Sequence, residues 1–363
     1  MKLQSRIDSL ATRHATLEER ISDEDHRPRP DGAALTHEDL LAELCDEVLG
    51  HLDVAAIAGI GHRVVHGGGE FDAPVRLDDA VMARLEALCP LAPLHQPHNL
   101  AAIRAIRALL PGVPQVACFD TAFHHGMPAV ATRLALPRAL TDKGIRRYGF
   151  HGLSYAYILR CLRAVDGDLA RGRVIVAHLG SGASLCAMDD GRSIDTTMSF
   201  TALDGLMMGT RCGALDPGVV LHLITQEGMS AAQVEHLLYS ESGLRGVSGI
   251  SGDMRVLHAS ASPAAAEAVE LFVWRVAREI GALASSLGGV DGIVFTAGIG
   301  ENDPVIRAAI GERLGWLGLR MDAAANAVNA PLISAAGSAV VLRVIPTDEE
   351  RMIALATLAT LRA

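Results

Sequence analysis

The sequence predicts an α/β protein. Apolar, β-branched runs end at glycine-rich turns, and they alternate with amphipathic helical segments. At 363 residues the chain exceeds what one core usually serves, so two domains are expected. Residues 1–35 are polar and close on Arg27-Pro28-Arg29-Pro30, which reads as loop. A helix should begin at Thr36, where Thr36 and Asp39 resemble a capping box, with Leu40, Leu41, Leu44, Val48 and Leu49 on its apolar face. A strand near 56–66 runs into Gly67-Gly68-Gly69, helices follow near 78–88 and 98–110, and a strand near 115–119 ends at Asp120. The second set opens with a strand over 174–179, turned by Gly180-Ser181-Gly182 into a strand over 183–188 and by Asp189-Asp190-Gly191 into a third. A long helix is predicted from Ser262 (N-cap) and Pro263 to Gly288-Gly289. A buried strand over 293–296 then leads to a loop, Gly298-Ile299-Gly300-Glu301-Asn302.

Composition excludes several classes of function. A net charge of −10 argues against a nucleic-acid partner, because binding phosphates over a surface needs basic patches. It leaves room for a nucleotide in a small site. No apolar run approaches the roughly 20 residues of a spanning helix, and no secretory leader is visible, so a cytoplasmic protein away from the membrane is expected. The six cysteines (Cys45, Cys89, Cys118, Cys161, Cys186, Cys212) form no CxxC pair, which predicts reduced thiols and no structural zinc. There is no glycine-rich P-loop with Lys-Ser/Thr, so any kinase here is of another type.

Several segments suit chemistry better than scaffolding. Gly61-His62-Arg63-Val64-Val65-His66-Gly67-Gly68 places a guanidinium at a strand end beside open backbone. His95 sits in a Pro-rich loop, and Asp120 ends a strand. Arg146-Arg147-Tyr148-Gly149-Phe150-His151-Gly152 gathers charge, aromatics and glycine, and Gly209-Thr210-Arg211-Cys212-Gly213 repeats the glycine-flanked arginine. Singly, each is weak: a lone histidine usually packs or faces solvent, and a Gly-x-Gly turn is usually only a turn.

Taken in order, with the FTAGIGEN segment and Pro346-Thr347-Asp348-Glu349-Glu350, they resemble the acetate kinase family from about residue 56 to the C-terminus. The resemblance implies a two-domain, duplicated fold of the sugar kinase/Hsp70/actin type (ribonuclease H-like) with an interdomain cleft. It places the first domain at 1–121, completed by 349–363, and the second at 122–348. It implies phosphoryl transfer from ATP to acetate, with Mg²⁺ (or Mn²⁺) as cofactor, and Ala202, where the family's acyl pocket usually has proline, predicts that propionate is tolerated as well. The expected partners are the carboxylate, ATP/ADP and a second copy of the chain. His151, Arg211, His95 and Asp120 are assigned to catalysis. Arg63 is assigned to the carboxylate, Val65, Leu94, Phe150 and Ala202 to the acyl pocket, and Glu349 to the metal. His178, Leu179, Gly180, Ser181, Gly182, Asp253, Met254, Arg255 and the Gly298, Ile299, Gly300, Glu301, Asn302 segment are assigned to ATP.

The physical logic suits an ionised acceptor. A carboxylate is already nucleophilic at pH 7, so cations and donors are needed rather than a general base. A sugar kinase, whose hydroxyl acceptor usually wants an aligned base, fits less well. A butyrate-type pocket is disfavoured by Phe150.

Some positions depart from the family pattern. Ala202 stands where proline is usual, and Ser181 and Asp348 replace asparagines. Leu153 and Tyr155 alter a Gly-Thr-Ser-His run, and Cys212 and Ala214 replace a serine and an aspartate. Nothing in residues 1–55 resembles the family's opening strand and its Asn-x-Gly-Ser-Ser-Ser turn. The expectation is therefore a late start with Met1 internal to a longer protein. If the chain is complete, an impaired nucleotide-binding relative is the alternative.

Overall fold

The computed structural model describes residues 56–363. The helix expected from Thr36 and the expected absence of an opening strand lie outside them. The chain divides into two units, of which the second comprises Gly59–Asn99 with Pro114–Ala363.

The second unit contains two sheets. The smaller has strands β1 (Ile60–Val64), β2 (Val75–Arg76) and β3 (Gln115–Phe119) in the order β1-β3-β2, with β1 and β3 parallel and β2 antiparallel to β3. Helix α1 (Asp79–Ala87) follows β2, and α2 (Gln96–Leu109) precedes β3. β1 is shorter than the 56–66 run suggested, because pairing with β3 spans only Ile60 to Val64. Beyond β3, helix α3 (Gly152–Val165) leads into the larger sheet.

That sheet has β4 (Arg173–Leu179), β5 (Ala183–Asp189), β6 (Arg192–Thr196), β7 (Gly292–Thr296) and β8 (Val341–Val344) in the order β6-β5-β4-β7-β8. β4, β5 and β6 form an antiparallel meander, whereas β7 and β8 add to β4 in parallel. A strand buried on both faces shows period-two partition between two cores. Ile175, Ala177 and Leu179 of β4 enter one cluster with Leu185 of β5 and Phe295 of β7, while Val174 and Val176 enter the other with Cys186 and Val294.

Between β6 and β7 lie α4 (Pro217–Thr225), α5 (Ala231–Ser240), α6 (Gly243–Ser248), α7 (Met254–Ala259) and α8 (Pro263–Leu287). The helix α8 buries Ala265, Ala268, Phe272, Val276, Ile280 and Leu283, an i, i+3/i+4 stripe that covers the first cluster. Tyr155, Ile158, Leu159 and Leu162 of α3 cover the second. After β7 come α9 (Ala297–Asn302) and α10 (Pro304–Arg313), and α11 (Glu349–Arg362) closes the chain. Met352, Ile353, Ala356 and Leu361 of α11 pack on Val116 and Cys118 of β3 and on Leu153.

The carboxyl ends of β1, β3, β4, β7 and β8 carry the loops from which the site is built. Buried histidines brace these loops. His124 accepts at Nδ1 from Ser193 on β6 (2.8 Å) and donates from Nε2 to the Phe150 carbonyl (2.9 Å), next to His151. Burial pushes His124 and His66 down to about 4. The unfolded chain takes up these protons near the ordinary imidazole value, about 6.5, while the folded chain resists until about 4. In that window the unfolded state binds more protons, so stability declines as pH falls, by on the order of 3 kcal/mol per fully buried histidine. Thermal melts from pH 7 to pH 4 should show this decline. His124→Gln, which can still donate to Phe150 but cannot take up a proton, should melt lower at pH 7 and lose less on acidification.

Candidate active site

Arg63, one residue before the end of β1, is held by carboxylates on two sides. Its Nε lies 3.1 Å from both oxygens of Asp120, and its Nη2 lies 2.8 Å from Oδ2. Its Nη1 is 3.1 Å from Glu349, the first residue of α11. Asp120 follows β3 immediately, and its backbone N–H donates to the Val64 carbonyl (3.1 Å). The two parallel strand ends thus present a guanidinium and a carboxylate side by side. Asp120 above all raises the pKa of Arg63, which is charged at any working pH. Burial pushes the Glu349 carboxyl above the ordinary range, Arg63 pulls against it, and Asp120 adds to the rise.

The imidazoles come from three places. His95 precedes α2; burial lowers its pKa, with Arg211 and Arg63 acting in the same sense. His151 caps α3 from a left-handed backbone (φ 58°), a conformation uncommon for a non-glycine residue and concentrated at functional sites. Its ring stacks on that of His178 from β4, with centroids 4.2 Å apart. Burial holds His151 well below the imidazole range, with His178, Arg63 and Arg211 adding to the effect, and burial brings His178 to about 4. Both rings are therefore neutral at pH 7. Arg211 donates from Nη1 to the Ala202 carbonyl (2.8 Å), and burial lowers its pKa.

These groups face one cavity of about 480 Å³, lined by Arg63, Val65, His95, Asn99, Asp120, Phe150, His151, His178, Gly180, Ser181, Gly182, Ala202, Arg211 and Glu349. Val65, Phe150 and Ala202 supply its apolar wall. The hairpin between β4 and β5 supplies Gly180, Ser181 and Gly182. A methyl group on Gly182 would lie 3.4 Å from both His151 Nε2 and Arg211 Nη2, so the imidazole and guanidinium converge on one point beside the turn.

The other expected site residues are placed differently. Leu94 is 43% exposed and is not among the residues lining the cavity; on the same turn, the adjacent His95 reaches it. Leu179 and Met254 are core residues of the first cluster. Asp253 caps α7, accepts from Arg255 N (2.8 Å) and pairs with the exposed Arg255 guanidinium. This segment lies close behind the hairpin: Gly209 N donates to Ser181 O (3.0 Å), and Gly252 packs backbone to backbone on Gly209, where a Cβ would lie 2.8 Å from the Gly209 oxygen.

The segment expected to be a loop from Gly298 to Asn302 is the helix α9. Glu301 accepts at one oxygen from Ala297 N (2.7 Å), Thr296 Oγ1 (3.3 Å) and Thr347 N (3.0 Å). Asn302 donates to the Gly298 carbonyl (3.0 Å), and Ile299 packs at the edge of the first cluster. Arg307 of α10, fully buried, then ties down the far end of α9. It donates to the Gly300 and Glu301 carbonyls (2.9 Å each), to Asn326 at both its side chain and its carbonyl, and to Asn329, using all five of its N–H groups.

Sequence reasoning missed several supports. Asn99 accepts from Val65 N (3.0 Å) and lines the cavity. Ser184 contacts His151 Nδ1 (2.8 Å), while Ser154 joins His178 Nδ1 to Thr347 (2.9 Å each). The altered Gly-Leu-Ser-Tyr run was a signal for Ser154 alone; nothing in the sequence marked Asn99 or Ser184. Serines on an apolar strand or helix otherwise read as packing.

The acetokinase family model matches residues 2–355. The chain belongs to the acetokinase family. The likeness therefore reaches well before the first motif, further toward the N-terminus than the expected residue 56. The chain is 57% identical over 328 residues to an acetate kinase of Rhodopseudomonas palustris (strain ATCC BAA-98 / CGA009), covering 90% of this chain and 82% of that one. Among solved structures, a propionate kinase from Francisella tularensis subsp. tularensis SCHU S4 superposes with a TM-score of 0.86 at 38% identity, covering 90% of this chain and 85% of that one. The acetate kinase of Porphyromonas gingivalis gives 0.80 at 37%, covering 96% and 84%. This acetokinase is accordingly an α/β ATP-dependent phosphotransferase with a carboxyl group as acceptor. The alternative of an impaired relative finds no support in these likenesses. Among the described residues no helix is long and apolar enough to cross a membrane.

Arg307→Lys should destabilise this acetokinase by about 3 kcal/mol in urea unfolding, because an ammonium cannot serve five acceptors and leaves buried carbonyls unpaired. Equal midpoints and slopes for variant and wild type would contradict the bracing role.

Proposed function

We propose that the chain transfers the γ-phosphoryl group of ATP to acetate, and also to propionate. The observation that carries this reading is the convergence of Arg63, His95, His151 and Arg211 with Asp120 and Glu349 on one cavity beside a glycine hairpin. The acceptor carboxylate is ionised at pH 7 and needs no base. Arg63 orients it, with its carbon tail against Val65, Phe150 and Ala202. Alanine at 202 leaves room for one further methylene, which such a pocket discriminates by only about 1–3 kcal/mol. A carboxylate oxygen forms the new bond to γ-phosphorus as the bond to the β-phosphate oxygen breaks. ADP leaves, and no proton moves. His151 Nε2 and Arg211 Nη2, both beside Gly182, stabilise the transferring group, with His95 and Asp120 alongside.

The nucleotide lies over His178 to Gly182, with the Asp253–Arg255 and Gly298–Asn302 segments toward its nucleoside. In this reading residues 1–121 with 349–363 form the acyl side and 122–348 the nucleotide side.

Among the described residues no three His, Cys, Asp or Glu side chains cluster as a metal cage. Mg²⁺ does not require one: it takes one or two carboxylates plus phosphate oxygens and keeps water. Glu349, with Asp120 nearby, fits that sparse set for Mg²⁺ (or Mn²⁺). When bound, the ion offsets phosphate charge. Five described cysteines are free, in keeping with work in the cytoplasm, where ATP is supplied.

The protein works as a homodimer. Helix α4 carries Val219, Leu221 and Ile224, yet none of its residues is buried; Leu221 is 62% exposed. An apolar helix without a covered face marks a contact surface. Light scattering should give twice the chain mass for wild type and a monomer for Leu221→Glu; a monomeric wild type would contradict the dimer.

A hydroxamate assay for acyl phosphate tests the chemistry. Wild type should form product from acetate and from propionate, and Arg211→Ala should lose at least about a hundredfold in kcat. No acyl phosphate from wild type, or an unimpaired variant, would overturn the reading.

A further inference from the structure

His151 presents one ring nitrogen toward Arg211 and Gly182 and the other toward β5. A neutral imidazole carries its proton on only one nitrogen, so which face donates depends on the partner of the other. Its Nδ1 lies 2.8 Å from Ser184 Oγ, and Ser184 Oγ in turn contacts the Tyr155 hydroxyl. Ser184 and Tyr155 are both fully buried. Among the described residues Tyr155 Oη has no hydrogen-bond partner but Ser184, and Ser184 Oγ has none but Tyr155 and His151.

A buried hydroxyl hydrogen without an acceptor is strongly disfavoured. Tyr155 therefore donates to Ser184, because no other acceptor is within its reach. Ser184, having accepted that bond, has one acceptor left for its own hydrogen, which is His151 Nδ1. Were Nδ1 to carry the proton, Ser184 would be offered two hydrogens and its own would have no partner. We infer that Tyr155, acting through Ser184, locks His151 as the Nε2–H tautomer, so that a neutral N–H donor faces the point where His151 and Arg211 converge.

The relay explains how an uncharged imidazole contributes to anion binding. Protonation of His151 is opposed by burial and by His178, Arg63 and Arg211 around it. In the wrong tautomer it would turn a lone pair toward a phosphoryl oxygen and repel it. Tyr155 and Ser184 are positioning residues, since neither lines the cavity. Tyr155 stands where the family run has histidine, so this chain builds the relay with a hydroxyl. Stacking of His151 on His178, itself tied to Ser154, holds the ring plane.

The inference rests on the proposed role of His151 in transfer, but its test is separable. Nitrogen-15 spectra of the full-length chain with labelled histidine, at pH 7.5, read the tautomer directly; His151 is assigned by the signal lost in His151→Gln. Wild type should show an unprotonated Nδ1 and a protonated Nε2. In Tyr155→Phe the His151 signals should shift toward Nδ1–H, and kcat should fall about tenfold or more with both KM values within about twofold. Ser184→Ala should do the same and serves if Tyr155→Phe folds poorly. A wild-type His151 that is Nδ1–H or doubly protonated would overturn the lock, as would a Tyr155→Phe spectrum identical to wild type. If wild type forms no acyl phosphate, the proposed function fails while the spectrum still decides the tautomer.

Discussion

The geometry of the site hangs on the clamp that Asp120 and Glu349 form around Arg63. Each member sits at the end of a different element: β1, β3 and the first turn of α11. A guanidinium bound through two parallel N–H groups is fixed in direction as well as position, which a point charge would not achieve. The clamp also balances the cavity. Arg63 and Arg211 face Asp120 and Glu349, and the imidazoles are held neutral by burial. Two guanidinium charges against two carboxylates leave no formal excess to attract ATP. In the proposed reading Glu349, with Asp120 nearby, would hold the cation that accompanies the nucleotide, and Arg63 would bind the acceptor.

In the proposed reading, neutral donors do the rest of the electrostatic work. Desolvation keeps His151 and His178 uncharged, so they add dipoles without upsetting the balance of charge. Preorganised dipoles in a water-poor cavity are worth more than in water and need no reorganisation when charge develops. The cost appears in the scaffold: a left-handed backbone at His151, a fully buried Arg307, and buried histidines that make the fold sensitive to acid.

Much of this was legible in the sequence, for physical reasons. Strands β4, β5 and β7 follow from apolar runs beside glycine turns, β6 from the Asp189-Asp190-Gly191 turn before it, and α8 from Ser262-Pro263 at one end and Gly288 at the other. Arg63, His151 and Arg211 were legible as a set because each is flanked by glycine or lies at a strand end, whereas His95 stood out only by its Pro-rich loop. Long-range effects were not. The 298–302 segment reads as a glycine-rich loop, yet it is helical because Glu301 caps one end and Arg307, from the next helix, holds the other. Leu94 and His95 look equally placed for the cavity, and only the turn decides between them. Ser184 reads as a small residue on a buried strand, and its tie to His151 exists only once α3 lies against β5.

The most direct measurement is a crystal structure with ADP, Mg²⁺, aluminium fluoride and acetate, which together imitate the phosphoryl group in flight. The aluminium fluoride should lie within hydrogen-bond distance of His151 Nε2 and the Arg211 guanidinium, with the acetate carboxylate on Arg63 and its methyl against Val65 and Phe150. Anions bound on separate surfaces, or an aluminium fluoride that touches neither His151 nor Arg211, would contradict the idea that this one cavity brings two repelling anions together.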